Sequence, residues 1–309
     1  MSKQYLVTGG AGFIGSHIVR RLVADGQHVR VVDNLSTGTT SRLDDVRQSI
    51  DFLHGDLADE QVSEAAVRGV DCVFHQAAIP SVQRSINDSI GTNRANVTAT
   101  LNLLECCRKA NVRRFVYAAS SSAYGDAEVL PKIESMPVNP LSPYALQKWA
   151  GEHYCKLYYK LYGLETISLR YFNVFGPAQD PHSEYSAVIP RFITALLTNR
   201  PITVYGDGEQ SRDFTYVENV VEANLLAAEA SSAPGEMCNI GCGKHVSLNA
   251  LIGLLEEHIG VKAEVTYTEP KAGDVRHSLA DIAHARRILG YEPRVMFDEG
   301  LKRTIEAFR

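Results

Sequence analysis

The apolar segment 4–8 runs directly into Gly9-Gly10-Ala11-Gly12-Phe13-Ile14-Gly15, after which Ile14, Ile18 and Leu22 recur at helical spacing. Strand, glycine turn and helix in that order restrict this chain more than any other feature. They open a βαβ unit, in which the strands lie parallel and the crossover is right-handed. The turn has a chemical use as well. Glycines at Gly10, Gly12 and Gly15, with Gly9 beginning a second G-x-x-G-x-x-G frame, let the backbone approach a pyrophosphate, and the free N–H groups and positive dipole at the helix start face its charge. Asp33 stands 18 residues after Gly15, at the end of the next apolar segment, 28–32. A carboxylate there accepts hydrogen bonds from the adenosine ribose and repels a 2′-phosphate, so NAD is favoured over NADP. Gly9, Gly12, Phe13, Ile14, Gly15, Asp33 and the neighbouring Asn34 are therefore expected to hold the dinucleotide. Asp56 and Leu57, after segment 52–54, read either as adenine contacts or as a turn whose Asp starts a helix.

Further apolar segments at 72–76, 115–119 and 165–170 alternate with helical patterns such as Val97, Leu101 and Leu104. The fold class expected is α/β, a doubly wound parallel (Rossmann) sheet. After Gly176 the pattern changes: Pro177, Pro181, Pro190 and Pro201 punctuate short strands at 202–205 and 265–267, as in a smaller C-terminal α/β substrate lobe. A helix at 218–230 and a strand at 237–240 are able to return to the first sheet. The expected division is then 1–176 with about 213–243 returning for the dinucleotide domain, and about 177–212 with 244–309 for the lobe.

Lys+Arg 31 against Asp+Glu 36 gives a net charge of −5 with no basic run, which argues against a nucleic-acid partner. There is no run of 18 apolar residues and no signal-like start, so no membrane partner and a cytoplasmic location are expected. Cys72, Cys106, Cys107, Cys155, Cys238 and Cys242 form no C-x-x-C pair and read as reduced, buried thiols. The ten histidines show no metal-ligand spacing on a convincing helix, so no metal is expected, and His75 reads as structural.

The chemistry concentrates in two segments. Ala118-Ala119-Ser120-Ser121-Ser122-Ala123-Tyr124-Gly125 closes a strand, and ligands of such sheets bind outside the carboxyl ends of strands. Pro140-Leu141-Ser142-Pro143-Tyr144-Ala145-Leu146-Gln147-Lys148 opens a helix that puts Tyr144 and Lys148 on one face. A free phenol titrates near ~10; a neighbouring ammonium favours its phenolate, making Tyr144 a candidate base.

With these motifs the chain resembles the extended short-chain dehydrogenase/reductases, and among them the UDP-hexose 4-epimerases. Further stretches that carry the resemblance are Phe74-His75-Gln76-Ala77-Ala78, Arg170 to Pro177, Gly206-Asp207-Gly208 with Arg212-Asp213, and Gly273-Asp274-Val275-Arg276-His277-Ser278. The resemblance implies a tyrosine that takes the sugar 4-hydroxyl proton while hydride passes to tightly held NAD. The 4-keto sugar then turns over and recovers the hydride on its other face. It places the catalytic serine on Ser120, one residue from Ser121, gives Lys148 a second task on the nicotinamide ribose, and adds Ala77 and Asn96 to the dinucleotide contacts. UDP-sugar contacts fall on Ser81, Ser120, Asn173, Gln179, Ala187, Val188, Tyr205, Arg212, Asp274 and Ser278. For Arg212 a diphosphate fork and a surface ion pair with Asp213 both remain open.

Sister reactions separate on single positions. Nucleotide-sugar 4,6-dehydratases carry an Asp-Glu pair after the catalytic residue, where this chain has Ser121 and Ser122; glucuronate 4-epimerases tend to have Thr at Asn173. Gln179-Asp180-Pro181 with Tyr185-Ser186-Ala187 looks like hexosamine-type epimerases, whereas Pro80 departs from the glycine they carry. Ser278 occupies the position where a tyrosine excludes an N-acetyl group, so both UDP-glucose and UDP-N-acetylglucosamine are expected substrates. A non-catalytic dinucleotide-binding regulator would lack the Tyr144–Lys148 pair. A homodimer is implied, with the Tyr-Lys helix and its predecessor, about 92–110, packed against the same pair in a second copy.

Overall fold

The computed structural model describes residues 3–180, 187–270 and 275–309. Seven parallel strands form the central sheet: β1 Gln4–Thr8, β2 His28–Asp33, β3 Ile50–His54, β4 Cys72–His75, β5 Arg114–Ser120, β6 Glu165–Tyr171 and β7 Met237–Ile240. Their order is β3-β2-β1-β4-β5-β6-β7, so winding reverses between β1 and β4 and opens a crevice at the carboxyl ends of those two strands. The segment 237–240 does return: Met237 to Ile240 pair in register with Ser168 to Tyr171.

Successive residues of each strand enter different cores. Val7, Val31 and Phe74 pack with Ile18, Leu22 and Val220, while Leu6, Val32 and Val73 pack with Leu103, Leu104 and Tyr158. Both faces are covered, which is why the strands read as unbroken apolar runs. The covering helices are α1 Phe13–Ala24, α2 Glu60–Val67, α3 Ala99–Lys109, α4 Pro143–Tyr162 and α5 Val217–Glu229. Ahead of α3 the chain runs through a helical turn, Ser89–Asn93, and a wider π-helical turn, Arg94–Thr98.

A third apolar cluster, containing Phe175, Phe192, Phe214, Leu251 and Leu301, lies under the helices Val188–Leu197, Leu248–Ile259 and Phe297–Phe308. Beside it Ile202–Tyr205 and Val265–Thr268 pair in parallel. All six cysteines are buried and free. Among the described residues no helix is long and apolar enough to cross a membrane, and no group of three or more His, Cys, Asp or Glu side chains could hold a metal ion.

Candidate active site

One cleft of about 980 Å³ follows the carboxyl ends of the strands from the glycine loop to Ser278. The loop is closed on itself: Gly12 N–H donates to the Gly9 carbonyl at 3.0 Å, and Gly9 holds φ +62°. A Cβ on Gly15 would stand 2.2 Å from the Gly9 oxygen, so no other residue fits where α1 begins. Asp33 ends β2 and is buried; its carboxylate accepts from Ala11 N–H at 3.0 Å and Leu35 N–H at 2.8 Å. Burial raises its pKa, and these two donors together with Arg42 pull it back.

Gly9, Gly12, Phe13, Ile14, Gly15, Asp33, Asn34, Asp56, Leu57 and Ala77 all line the cleft. Asp56 also forms a turn, accepting from Ala58 N–H at 2.9 Å, but the residue that caps α2 is Asp59. Asn96 is placed elsewhere. It is buried behind the cleft wall, where its amide bonds the Ile79 backbone and Gln147. The π-helical turn presents Ala95, and the start of α3 presents Ala99, to the cleft in its stead.

Helix α4 starts where its caps put it: the Ser142 hydroxyl accepts from Ala145 N–H at 3.2 Å and Pro143 occupies the first turn. Tyr144 therefore lies in that turn and lines the cleft together with Ser120. Ser120 Oγ lies 2.8 Å from Ser122 Oγ and accepts from Ser122 N–H. Lys148 is 4% exposed, with Nζ 4.8 Å from the centroid of the Tyr117 ring. Desolvation brings its pKa down to about 8. The sequence leads one to expect a phenol pKa depressed by Lys148. Here burial is the larger influence and raises it, and the Ser120 hydroxyl is what opposes the rise.

His75 is structural in its bonding: Nδ1 lies 2.7 Å from Thr8 Oγ1, Nε2 lies 2.9 Å from Thr100 Oγ1, and burial drives its pKa to about 3.

Ser81, Asn173, Gln179, Ala187, Arg212 and Ser278, the positions expected at the sugar, line the same cleft. Gln179 Nε2 donates to Val174 O at 3.3 Å, and its Oε1 is buried with no partner. Arg212 Nη1 donates to the carbonyls of Ser211 and Arg276 at 2.9 and 3.1 Å. Asp213 is not its counter-ion. Its carboxylate turns inward to the N–H groups of Cys242, Gly243 and Ala280, and burial lifts its pKa to about 6. Asp213 therefore supplies no surface ion pair to Arg212. Val188 does not line the cleft, because it packs on the third apolar cluster, and Tyr205 ends a strand paired with Thr268. Asp274, with Gly273, Pro181, Tyr185 and Ser186, lies outside the described residues.

Arg42 and His277 are among the lining residues that escaped the sequence reading. Arg42 donates to Ala178 O at 3.1 Å and to Ala11 O at 3.3 Å, bridging the glycine loop to the far wall; no periodicity marks its segment. His277, bonded through Nδ1 to Ser211 Oγ at 2.9 Å, adjoins Ser278 within a motif already singled out, and its neighbour was the signal. A glycine cradle that no Cβ can enter, the start of α1 and a carboxylate at the end of β2 together fit a dinucleotide pyrophosphate and ribose.

Comparison with known proteins agrees. Residues 5–241 match the model of the NAD dependent epimerase/dehydratase family. The UDP-glucose 4-epimerase of Mycolicibacterium smegmatis is 39% identical over 308 residues, covering 98% of each chain. A UDP-N-acetylglucosamine 4-epimerase from Methanobrevibacter ruminantium, solved with UDP-N-acetylmuramic acid, superposes with TM-score 0.95 at 39% identity over 99% of this chain and 98% of that one. The UDP-glucose 4-epimerase of Thermotoga maritima, solved with UDP-glucose, gives TM-score 0.95 at 40% identity over the same shares. With its glycine loop, with Tyr144 and Ser120 in one cleft, and with relatives matched end to end, the chain belongs to the NAD dependent epimerase/dehydratase family, in the extended short-chain dehydrogenase/reductase superfamily.

Proposed function

We propose that this protein is a UDP-hexose 4-epimerase that interconverts UDP-glucose with UDP-galactose and UDP-N-acetylglucosamine with UDP-N-acetylgalactosamine. The observation that carries this reading is that Tyr144, Ser120 and Lys148 line the same cleft as the glycine loop. The glycine loop, Asp33, Asn34, Asp56, Leu57 and Ala77 hold NAD. NAD, when bound, supplies the acceptor and donor of the C4 hydride and a positive ring. Tyr144 takes the 4-hydroxyl proton and later returns it, with Ser120 holding the same oxygen. Lys148, still mostly protonated at neutral pH, holds the nicotinamide ribose. Arg212 and Asn173 take the UDP diphosphate end, and Ser81, Gln179, Ala187 and Ser278 surround the hexose. Because hydride and proton both return to the sugar, no net oxidation results.

The NAD domain of this reading is 1–176 with about 213–243, and the sugar lobe is about 177–212 with 244–309. We place the enzyme in the cytoplasm, where six reduced thiols persist. We also propose a homodimer. Ile90, 84% exposed, and the stripe Leu146, Leu157 and Leu161 on α4 leave apolar surface that a two-fold copy would cover. Light scattering distinguishes a dimer from a 34.0 kDa monomer.

The deciding experiment incubates the purified protein with UDP-glucose, UDP-N-acetylglucosamine and UDP-glucuronate in parallel and identifies products by NMR. Epimerisation of the first two supports the reading; turnover of the glucuronate alone, or of none, overturns it.

A further inference from the structure

Arg170, near the end of β6, has no part in the chemistry above, yet its side chain is 2% exposed. Nε and Nη2 donate to the two oxygens of Glu152, each at 2.8 Å, in a fork-to-fork pair. The guanidinium carbon also lies 4.5 Å from the centroid of the Tyr124 ring. These partners belong to different elements. Glu152 is on α4, one turn past Lys148 and two past Tyr144, on the same face of the helix. Tyr124 closes the turn Ser121–Tyr124 that leaves β5 at Ser120, and its own hydroxyl is fixed by Asn239 Oδ1 at 2.7 Å. One guanidinium thus touches both the helix that carries Tyr144 and the turn that follows Ser120, and those two residues line one cleft.

Stability alone does not account for ions at this seam. A buried pair repays its desolvation only in part, and an apolar pair of similar volume is commonly as stable. Here the remaining Nη1 is buried with no hydrogen-bond partner, which adds to the cost. Two parallel hydrogen bonds do fix distance and direction more tightly than apolar packing. We propose that Arg170 and Glu152 are positioning residues, a buried clamp that sets the spacing between the Tyr144 phenol and the Ser120 hydroxyl across the seam of α4 and β5. The inference rests on the epimerase reading and goes beyond it, since neither residue lines the cleft.

The test replaces both ions at once, Glu152→Leu with Arg170→Met, beside the single variants Glu152→Gln and Arg170→Lys, with wild type in every assay. For the double variant we expect Tm within about 4 °C of wild type, unchanged NAD content, KM for UDP-glucose within about twofold and kcat lower by about 10- to 10²-fold. A wider Tyr144–Ser120 spacing should also move the rising limb of the pH–kcat profile upward, and Arg170→Lys should restore part of kcat. Unchanged kcat at unchanged Tm overturns the proposal, as does a fall in kcat matched by loss of NAD or of folded protein. Should the double variant not fold, Glu152→Gln takes its place: a fall in kcat at unchanged KM supports the clamp, and unchanged kcat overturns it. Wild type inactive on every UDP-hexose sinks the epimerase reading itself. The clamp is then judged by ultraviolet titration of Tyr144 against Tyr144→Phe: an upward shift in Glu152→Gln supports it, and no shift overturns it.

Discussion

The Asp33 carboxylate reaches back across the mouth of the glycine loop and accepts the Ala11 N–H at 3.0 Å. One acid therefore braces the loop and faces the cleft. Asp33→Asn keeps an oxygen for the brace but gives up the charge, and a hydrogen bond to a charged group contributes about 1.5–3 kcal/mol. Calorimetry should show NAD affinity lowered by roughly 10- to 10²-fold and discrimination against NADP reduced. Unaltered NAD affinity would leave Asp33 with the brace alone.

Tyr144→Phe removes one oxygen from a residue that does not form the glycine loop. The variant should keep its NAD and lose at least ~10²-fold in kcat. Product assays beside cofactor content after denaturation check both halves, and near-wild-type turnover would take Tyr144 out of the chemistry.

Ser278 lines the cleft and is fixed by its own N–H to Ser211 O at 3.0 Å, so a larger side chain there enters the sugar space without unpinning the backbone. Ser278→Tyr should abolish activity on UDP-N-acetylglucosamine while sparing UDP-glucose. Equal effects on both sugars, in side-by-side kinetics, would show that Ser278 is not the gate.

The buried His75 makes a pH prediction with a definite sign. Its pKa is about 3 in the fold against an ordinary 6.5, so between those values the unfolded chain binds more protons, and His75 lowers stability as pH falls. Asp213, raised to about 6, works the opposite way from its ordinary range up to that value. The two are separated by a variant. His75→Gln costs stability at pH 7 through the lost Thr8 and Thr100 contacts, and that deficit should shrink below pH 6.5 by about 1.4 kcal/mol per unit. Urea unfolding at pH 7, 6 and 5 reads it, and a deficit independent of pH would contradict the buried neutral ring.

The strands were legible because both faces of the sheet are covered, which leaves unbroken apolar runs in the chain. Ser120, Tyr144 and Lys148 were legible because strand end and helix start fix where they point. Asn96 was not. Its neighbours sit in a π-helical turn whose wider winding changes which side chains face the cleft, and no periodicity announces such a turn. Arg170 and Glu152 are 18 positions apart on a strand and a helix, so only the packed layers bring them together. The phenol pKa of Tyr144 departs from expectation for a similar reason, since burial is a property of everything around the ring and not of the lysine one turn away.

The last strand of the sheet, β7, comes from the far side of a long excursion through the third apolar cluster. During synthesis β6 has no outer neighbour until the chain has been made as far as Ile240, and an unpaired edge of this kind invites pairing with other chains. A fragment cut at Gly176 would keep the whole dinucleotide loop and still lack this closing strand. The apparent modularity of the nucleotide-binding half is thus a matter of function and not of folding: anyone wishing to graft or truncate it has to carry α5 and β7 along.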